Sequence, residues 1–224
     1  MPDIYDRQRP MDLYTPNSVT VVGCGGIGSW VAILAAMSGV KTLFLYDPDT
    51  LEETNRNRLP FCQGSVGRPK VQVVADYIAG IRTDATVVPV QEKLDGIFVE
   101  IQLSITEFLI DCTDSPRSQI YLYNKCKERG GLPHFIRAGY DGTNITVTSN
   151  VSGWIRDTEQ ETYTVQPSWV VPAVTVAALA VGKMMKYNTQ EVGLDLSEIG
   201  IPVLQRQSRR TARCAQAPQA PRAR

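Results

Sequence analysis

Short apolar runs alternate with longer amphipathic segments along most of this chain. The short runs predict β-strands and the longer segments predict helices, because buried strands are brief whereas surface helices keep one polar face. The predicted strands lie at residues 19–22, 41–46, 86–90, 108–112, 133–138 and 144–148, and the predicted helices at 27–37, 70–81, 96–105, 117–129 and 170–187. This alternation predicts an α/β, Rossmann-like fold: a mostly parallel sheet with helices on both faces, ending in a C-terminal strand pair and a long helix.

The end of the chain has a different composition from the rest. Residues 206–224 contain six arginines and no acidic residue, and without them 17 basic residues face 23 acidic ones. The segment is rich in Gln, Ala and Pro, so it cannot bury enough apolar surface to offset the entropy of ordering it. We therefore expect one domain at residues 1–190 and a flexible basic tail at 191–224. The alternative is a basic arm that binds an acidic partner.

The sequence also indicates where in the cell the protein is expected and whether its cysteines are reduced. No apolar run is long enough to cross a membrane, and the first residues lack the basic-then-apolar layout of a signal peptide, so we expect a cytoplasmic protein with no membrane partner. A nucleic-acid partner is not expected. The five cysteines form no Cys-x-x-Cys pair. Reduced thiols and no zinc site are the expectation.

A glycine-rich turn joins the first predicted strand to the first predicted helix. It contains Gly23, Gly25, Gly26 and Gly28, and glycine allows a sharp turn and close approach of a phosphate to the free N–H groups of the helix start. Asp47 ends the second strand, 19 residues beyond Gly28, which is the spacing of a dinucleotide-binding fingerprint. A carboxylate there can accept hydrogen bonds from both ribose hydroxyls. The alternative for Asp47 is a helix cap or a solvated loop acid.

A set of polar donors follows the second strand. Asn55, Arg58 and Lys70 suit a triphosphate, because a guanidinium binds oxygens bidentately and an ammonium acts as a point charge. Each residue alone could be an ordinary surface group. Asp114 comes just after the fourth strand, and a carboxylate beside phosphates commonly binds Mg²⁺. Its alternative is to cap the next helix. Together these residues predict ATP and Mg²⁺ as cofactors.

Taken in order, these motifs resemble the ubiquitin-activating-enzyme-like adenylyltransferase superfamily, the ThiF/MoeB/HesA family. The resemblance runs from about residue 5 to residue 187. The motifs that carry it are the Gly-x-Gly-Gly-x-Gly turn, the strand-end Asp47, Asn55-x-x-Arg58, Val66-Gly67-x-x-Lys70, Asp111-Cys112-Thr113-Asp114 and Tyr5-x-Arg7-Gln8.

The resemblance implies an activity and a set of roles. It implies ATP·Mg-dependent adenylation of the C-terminal carboxylate of a ubiquitin-like or sulfur-carrier protein ending in Gly-Gly, giving an acyl-adenylate and pyrophosphate. It also implies a homodimer in which Arg7 reaches the neighbouring subunit's site. The implied catalytic residues are Arg7, Arg58, Lys70 and Asp114, with Asp114 as the Mg²⁺ ligand, Asp47 on the ribose, and Asn55, Arg58 and Lys70 on the phosphates.

Two departures from the family pattern leave alternatives open. The chain lacks the two Cys-x-x-Cys pairs of many relatives, and no cysteine lies between Cys126 and Cys214, where some relatives keep a nucleophile. A later thioester or persulfide step is therefore left open, with Cys62 as a remaining candidate. A nicotinamide-dependent oxidoreductase would explain the glycines and Asp47 but not the donors at 55, 58 and 70. A catalytically inactive family member acting as a binding module is the third alternative.

Overall fold

The computed structural model describes residues 3–59, 63–152, 168–187 and 191–196. Over these ranges it contains seven strands, five α-helices and two short 3₁₀ helices, at Arg9–Met11 and Glu53–Asn55. The strands are β1 (Ser18–Val22), β2 (Thr42–Tyr46), β3 (Thr86–Val90), β4 (Phe108–Asp111), β5 (His134–Asp141), β6 (Asn144–Thr148) and β7 (Val192–Asp195). The helices are α1 (Gly26–Met37), α2 (Lys70–Ile81), α3 (Gly96–Ile105), α4 (Pro116–Glu128) and α5 (Val170–Met185).

The described strands form one sheet in the order β3-β2-β1-β4-β5-β6-β7. The strands from β3 to β5 pair in parallel, and β6 and β7 continue the sheet in antiparallel pairing. The predicted mostly parallel α/β sheet is confirmed. The chain order reverses between β1 and β4, and ligands of such sheets bind beyond the carboxyl ends of the strands at this reversal.

Helices cover both faces of the sheet, as the alternating pattern predicted. One apolar core lies between the sheet and helices α1, α2 and α5, and contains Val21, Leu45 and Ala180. A second core lies on the other face beneath α3 and α4, and contains Leu103 and Leu122. The strands in the middle are buried on both faces, which explains their near-continuous apolar sequences.

Strand β5 extends beyond its parallel neighbour. Its first four residues, 134–137, pair with β4, whereas residues 138–141 pair with β6 above the end of β4. The β5–β6 hairpin therefore rises past the carboxyl ends of the central strands. It forms a wall beside the region where a ligand is expected.

The proposed start of the tail needs a correction. Residues 192–195 form β7, which pairs antiparallel with β6, inside the segment that we expected to be flexible from residue 191. The open edge of β6 offers a row of backbone donors and acceptors, and pairing with this edge orders β7. The segment itself is too short for its sequence to predict a strand. Residues 197–224, with all six terminal arginines, lie outside the described residues, so the domain boundary stays a prediction.

None of the described helices combines the length and apolarity that a membrane crossing requires.

Candidate functional site

The glycine turn is shaped by two very close backbone approaches. A Cβ added to Gly28 would lie 1.7 Å from the carbonyl oxygen of Gly23, and one added to Gly23, whose φ is +84°, would lie 3.2 Å from the backbone of Cys112. Both positions therefore require glycine. Gly25 is the N-cap of α1 and adds no side-chain cap, and a Cβ there would meet open space. There is thus open space beside Gly25, and the free N–H groups of a helix start suit an anion.

Asp47 lies at the end of β2 and connects the turn to the following loop. Its side chain is 7% exposed, Oδ2 accepts a hydrogen bond from Cys24 N–H at 2.6 Å, and Oδ1 accepts one from Asp49 N–H at 2.8 Å. Burial raises the pKa of Asp47 above its ordinary value, while Lys70 and these two N–H groups oppose the shift. Each carboxylate oxygen keeps a second lone pair, so the group can fix the turn and still accept from a ribose hydroxyl.

Lys70 brings a cation to the same place. It is the first residue of α2, and its side chain is only 14% exposed. Its Nζ lies 2.8 Å from Asp49 Oδ2 and 4.0 Å from Asp47 Oδ1. Asp49 is mostly exposed, and its carboxylate is paired with Lys70. The ammonium has three donors, so it can hold these carboxylates and turn one N–H towards a phosphate.

Arg58 lies across the start of α1. A Cβ on Gly26 would come within 2.7 Å of Arg58 Cδ and 3.1 Å of its Nε. The Nη1 group donates to Thr54 O at 2.9 Å and to Asn57 Oδ1 at 2.8 Å, and the Arg58 carbonyl accepts from Trp30 Nε1 at 2.9 Å. Within the described residues, Nε and Nη2 donate to no acceptor. This remaining edge of the guanidinium is the one that binds phosphate or carboxylate bidentately.

Asn55 is placed differently from the expectation of a simple phosphate donor. It is 7% exposed, and its Oδ1 accepts from Glu52 N–H at 3.0 Å in a capping box that closes the 3₁₀ helix. The amide nitrogen, which is the donor that a phosphate would use, hydrogen-bonds to no described residue. Asn55 therefore has a local structural role, and its phosphate role stays a prediction.

The segment after β4 contains two acidic residues in different surroundings. Asp111 is fully buried. Its Oδ1 accepts from the N–H and hydroxyl of Thr113 at 2.9 and 2.8 Å, and Oδ2 has no partner in the described part of the chain. Burial raises the pKa of Asp111 to about 6, and Arg137, its neighbour on β5, opposes the shift. These bonds fix the turn that leads to Asp114.

Asp114 itself is exposed and does not cap α4. Ser115 is the N-cap, and its side chain accepts from Ser118 N–H at 3.3 Å. The capping alternative for Asp114 is therefore wrong, because Ser115 occupies the N-cap position of the helix, which begins at Pro116, one residue earlier than predicted. In the described ranges no three His, Cys, Asp or Glu side chains come together as a metal site. A Mg²⁺ ion at Asp114 would therefore take its other ligands from phosphates and water, as Mg²⁺ commonly does.

Arg7 lies at the other end of the domain. It is exposed, and the next residue, Gln8, donates from Nε2 to Ser38 O at 2.8 Å, just after α1. The 12 residues of α1 rise about 18 Å from the glycine turn to this point. The structure thus does not bring Arg7 to the site of its own chain.

The thiols in the described residues are chemically quiet. Burial raises the pKa of Cys24 and Cys112 well above the usual range, and raises the pKa of Cys126 to about 12. A thiol that stays protonated is a poor nucleophile. Cys62 lies outside the described residues.

Two features of this region were absent from the sequence-based prediction. Asn57 donates from Nδ2 to Ser168 O at 2.8 Å, and Tyr140 hydrogen-bonds to the Ser168 hydroxyl. These residues are 111 and 28 positions apart along the chain, so no local pattern could reveal them. A cavity of about 220 Å³ lies at the opposite end of the sheet, against His134 and Tyr187, and is separate from this site.

A doubly wound sheet with a glycine turn at its switch point defines a Rossmann-like α/β protein. The ThiF family model matches residues 12–209, and the chain belongs to the ThiF family. It is 29% identical over 137 residues to the SAMP-activating enzyme E1 of Haloferax volcanii, covering 57% of this chain and 51% of that protein. It is 31% identical over 147 residues to the tRNA threonylcarbamoyladenosine dehydratase of Escherichia coli, covering 63% and 54%.

A solved structure supports the fold. The complex of E. coli MccB with AMPCPP and MccA superposes with a TM-score of 0.69 at 21% identity, covering 81% of this chain and 61% of that one. At this identity the likeness concerns the fold alone. The chain spans about half the length of the curated relatives it matches.

Proposed function

We propose that this protein uses ATP·Mg²⁺ to adenylate the C-terminal carboxylate of a ubiquitin-like or sulfur-carrier protein. The observation that carries the proposal is the placement of two cations around the glycine turn. Arg58 lies against Gly26 with one guanidinium edge available, and Lys70 lies beside Asp47, which holds the turn at Cys24. Two cations close to the start of a helix fit a triphosphate better than any neutral ligand.

The reaction needs charge stabilisation more than proton transfer. A carboxylate is already ionised at neutral pH, so its oxygen can attack the α-phosphorus without a general base. The bond from that phosphorus to the bridging oxygen breaks, pyrophosphate leaves with the electron pair, and an acyl-adenylate remains. Arg58 and Lys70 would stabilise negative charge on the phosphates, and Asp47 would orient the ribose. A Mg²⁺ ion held at Asp114 would supply further charge neutralisation.

The donor set also argues against the two alternatives. A nicotinamide-dependent oxidoreductase would need the turn and Asp47, but it has no triphosphate for Arg58 and Lys70 to bind. An inactive binding module would not need an exposed carboxylate at Asp114 on a turn fixed by buried Asp111 bonds. The oxidoreductase remains an outcome of the experiment below, and ATP binding without exchange in any arm would favour the inactive binding module.

We further propose that the active form is a homodimer in which Arg7 serves the neighbouring subunit. Within its own chain Arg7 sits beyond the last turn of α1, about 18 Å from the glycine turn. A second copy could bring this exposed guanidinium to the phosphates, whereas the chain's own site could not receive it without refolding the N-terminal segment.

The decisive test is ATP–pyrophosphate exchange. Purified protein should exchange labelled pyrophosphate into ATP when it is given Mg²⁺ and a candidate protein that ends in Gly-Gly. The same candidate with its carboxylate amidated should be inactive, because no nucleophile remains. A parallel arm supplies tRNA, since some relatives are named for a tRNA substrate. Exchange with tRNA alone would replace the protein carboxylate as substrate. Tighter binding of NAD than of ATP in calorimetry, with no exchange in any arm, would refute the proposed function.

A further inference from the structure

Ser168 joins three parts of the molecule next to the candidate site. Its carbonyl accepts a hydrogen bond from Asn57 Nδ2 at 2.8 Å. Its hydroxyl is hydrogen-bonded to Tyr140, on the part of β5 that rises beyond β4. Helix α5 begins two residues later, at Val170. The start of α5 is therefore tied both to the polar loop after β2 and to the β5–β6 hairpin.

The side chain of Asn57 continues this connection to the proposed phosphate-binding arginine. Its Oδ1 accepts from Arg58 Nη1 at 2.8 Å, while its Nδ2 donates to Ser168. One planar amide thus bridges the guanidinium and the beginning of α5. Because Arg58 also lies over Gly26, the contacts run without a break from the start of α1 to the start of α5.

The start of α5 presents surface that a second substrate could use. Trp169 is 42% exposed, and Val170 and Val171 are 39% and 43% exposed. Such partly exposed apolar side chains suit the uncharged backbone and small side chains of an extended peptide end. A movement of Arg58 on phosphate binding would be passed through Asn57 to these residues, because an amide held at both ends cannot turn without releasing one partner.

We propose that Asn57 is a positioning residue that couples nucleotide binding at Arg58 to the conformation of the α5 start. This inference rests on the proposed function, since it assumes that a nucleotide phosphate binds Arg58. It assigns to Asn57 a role between the two substrates: Asn57 touches neither, but it links the guanidinium that holds ATP to the surface at Trp169.

Fluorine NMR with 5-fluorotryptophan tests nucleotide binding at Arg58 separately from the coupling through Asn57. The chain has three tryptophans, so three resonances are expected, each assigned by a single Trp→Phe variant. Trp30 bonds directly to the Arg58 carbonyl and reports nucleotide binding at the site, whereas Trp169 reports the α5 start. On titration of wild-type protein with AMPCPP and Mg²⁺, both resonances should shift with the same midpoint.

Substitutions of Asn57 then test whether this residue links Arg58 to the start of α5. In Asn57→Ala the Trp30 resonance should still shift, whereas the Trp169 shift should fall by at least about half, since both amide hydrogen bonds are lost. Asn57→Asp keeps an acceptor for Arg58 but cannot donate to Ser168, and it should lose the Trp169 response in the same way. Asn150→Ala is the matched control, because among the described residues the Asn150 side chain bonds locally, to the N–H of Ser152, and it should behave as wild type.

The outcomes are distinct. An unchanged Trp169 shift in both Asn57 variants, or no Trp169 shift in wild type when Trp30 responds, overturns the coupling and leaves the proposed function standing. Absence of any Trp30 shift, with no AMPCPP binding by calorimetry, overturns the nucleotide site and the coupling with it. Because Asn57 is exposed, the variants should fold, and circular dichroism melts verify this.

Discussion

Asp114 and Ser115 are adjacent, and substitution can separate the observed capping role of Ser115 from the Mg²⁺-binding role that we propose for Asp114. Ser115 caps α4 through a rather long 3.3 Å bond, so Ser115→Ala should lower the free energy of unfolding by about 0.5–1 kcal/mol. For a chain of this length the melting temperature should fall by roughly 1–4 °C. Asp114 is exposed, and Asp114→Asn should cost no more than about 0.5 kcal/mol through the lost interaction with the helix dipole.

The effects on ATP–pyrophosphate exchange should have the opposite order, with a much larger loss in Asp114→Asn than in Ser115→Ala. If Asp114 holds Mg²⁺, its loss removes several kcal/mol of charge stabilisation in the transition state, and about 4 kcal/mol corresponds to roughly a thousandfold in rate. Asp114→Asn should therefore nearly abolish ATP–pyrophosphate exchange, and raising the Mg²⁺ concentration should restore part of it. Ser115→Ala should exchange at close to the wild-type rate per folded molecule.

The measurements are exchange rates over a Mg²⁺ series, paired with thermal melts of the same preparations. The two variants act as controls for each other, since they alter adjacent residues of the same turn. Normal exchange by Asp114→Asn, together with a melting temperature reduced more than in Ser115→Ala, would show that Asp114 is structural and that the metal site lies elsewhere.

Three further predictions test other residues of the domain. Arg58→Ala should weaken ATP binding by roughly 10- to 100-fold in calorimetry, as expected for lost hydrogen bonds to a charged group, whereas Arg56→Ala, an exposed residue of the same loop, should change it less than about twofold; equal losses would contradict the geometry. The pKa of Asp111 is raised to about 6 in the folded protein, so the fold binds this proton more tightly than the unfolded chain does. Stability should fall as the pH rises from about 4 to about 6, by roughly 2–3 kcal/mol, and denaturant titrations of Asp111→Asn should lack this component. Mixing Arg7→Ala with Lys70→Ala subunits should restore activity to about a quarter of wild type, because half of the random dimers carry one intact shared site; no recovery despite proven subunit exchange would place Arg7 outside the partner's site.

Much of the fold follows from local patterns in the sequence. The predicted bounds of α2, β3 and α3 are the observed ones, since each begins and ends next to glycine, proline or a polar residue that breaks its period. The start of α4 was predicted one residue late because Ser115-Pro116 was not recognised as an N-cap followed by proline at the first helical position. β7 was missed for a different reason. Its four residues carry no strand pattern of their own and are ordered by the edge of β6.

The candidate site likewise contains some residues that could be recognised from the sequence and others that could not. Glycines at 23 and 28 could be recognised because a side chain there would collide with backbone. Asp47 could be recognised because it follows a strand at a fixed distance from them. The buried, partly unsatisfied carboxylate of Asp111 could not be recognised, since its pKa depends on burial and on Arg137 of the neighbouring strand.

The residues that the sequence marks most clearly are those that contact the backbone and also have the roles that we propose in ligand binding. Asp47 holds the Cys24 N–H and still has lone pairs for a ribose, and Arg58 holds Thr54 O while one edge of its guanidinium stays available. A residue that makes both kinds of contact is restricted in its type and in its spacing from neighbouring residues. This restriction can be recognised in the sequence as a motif. Asn57 has no such restriction in its local sequence, because what it connects is a carbonyl 111 residues away. The coupling that we propose for Asn57 is of this second kind, so a motif can indicate a nucleotide site while the contact that links it to the start of α5 has to be found in three dimensions.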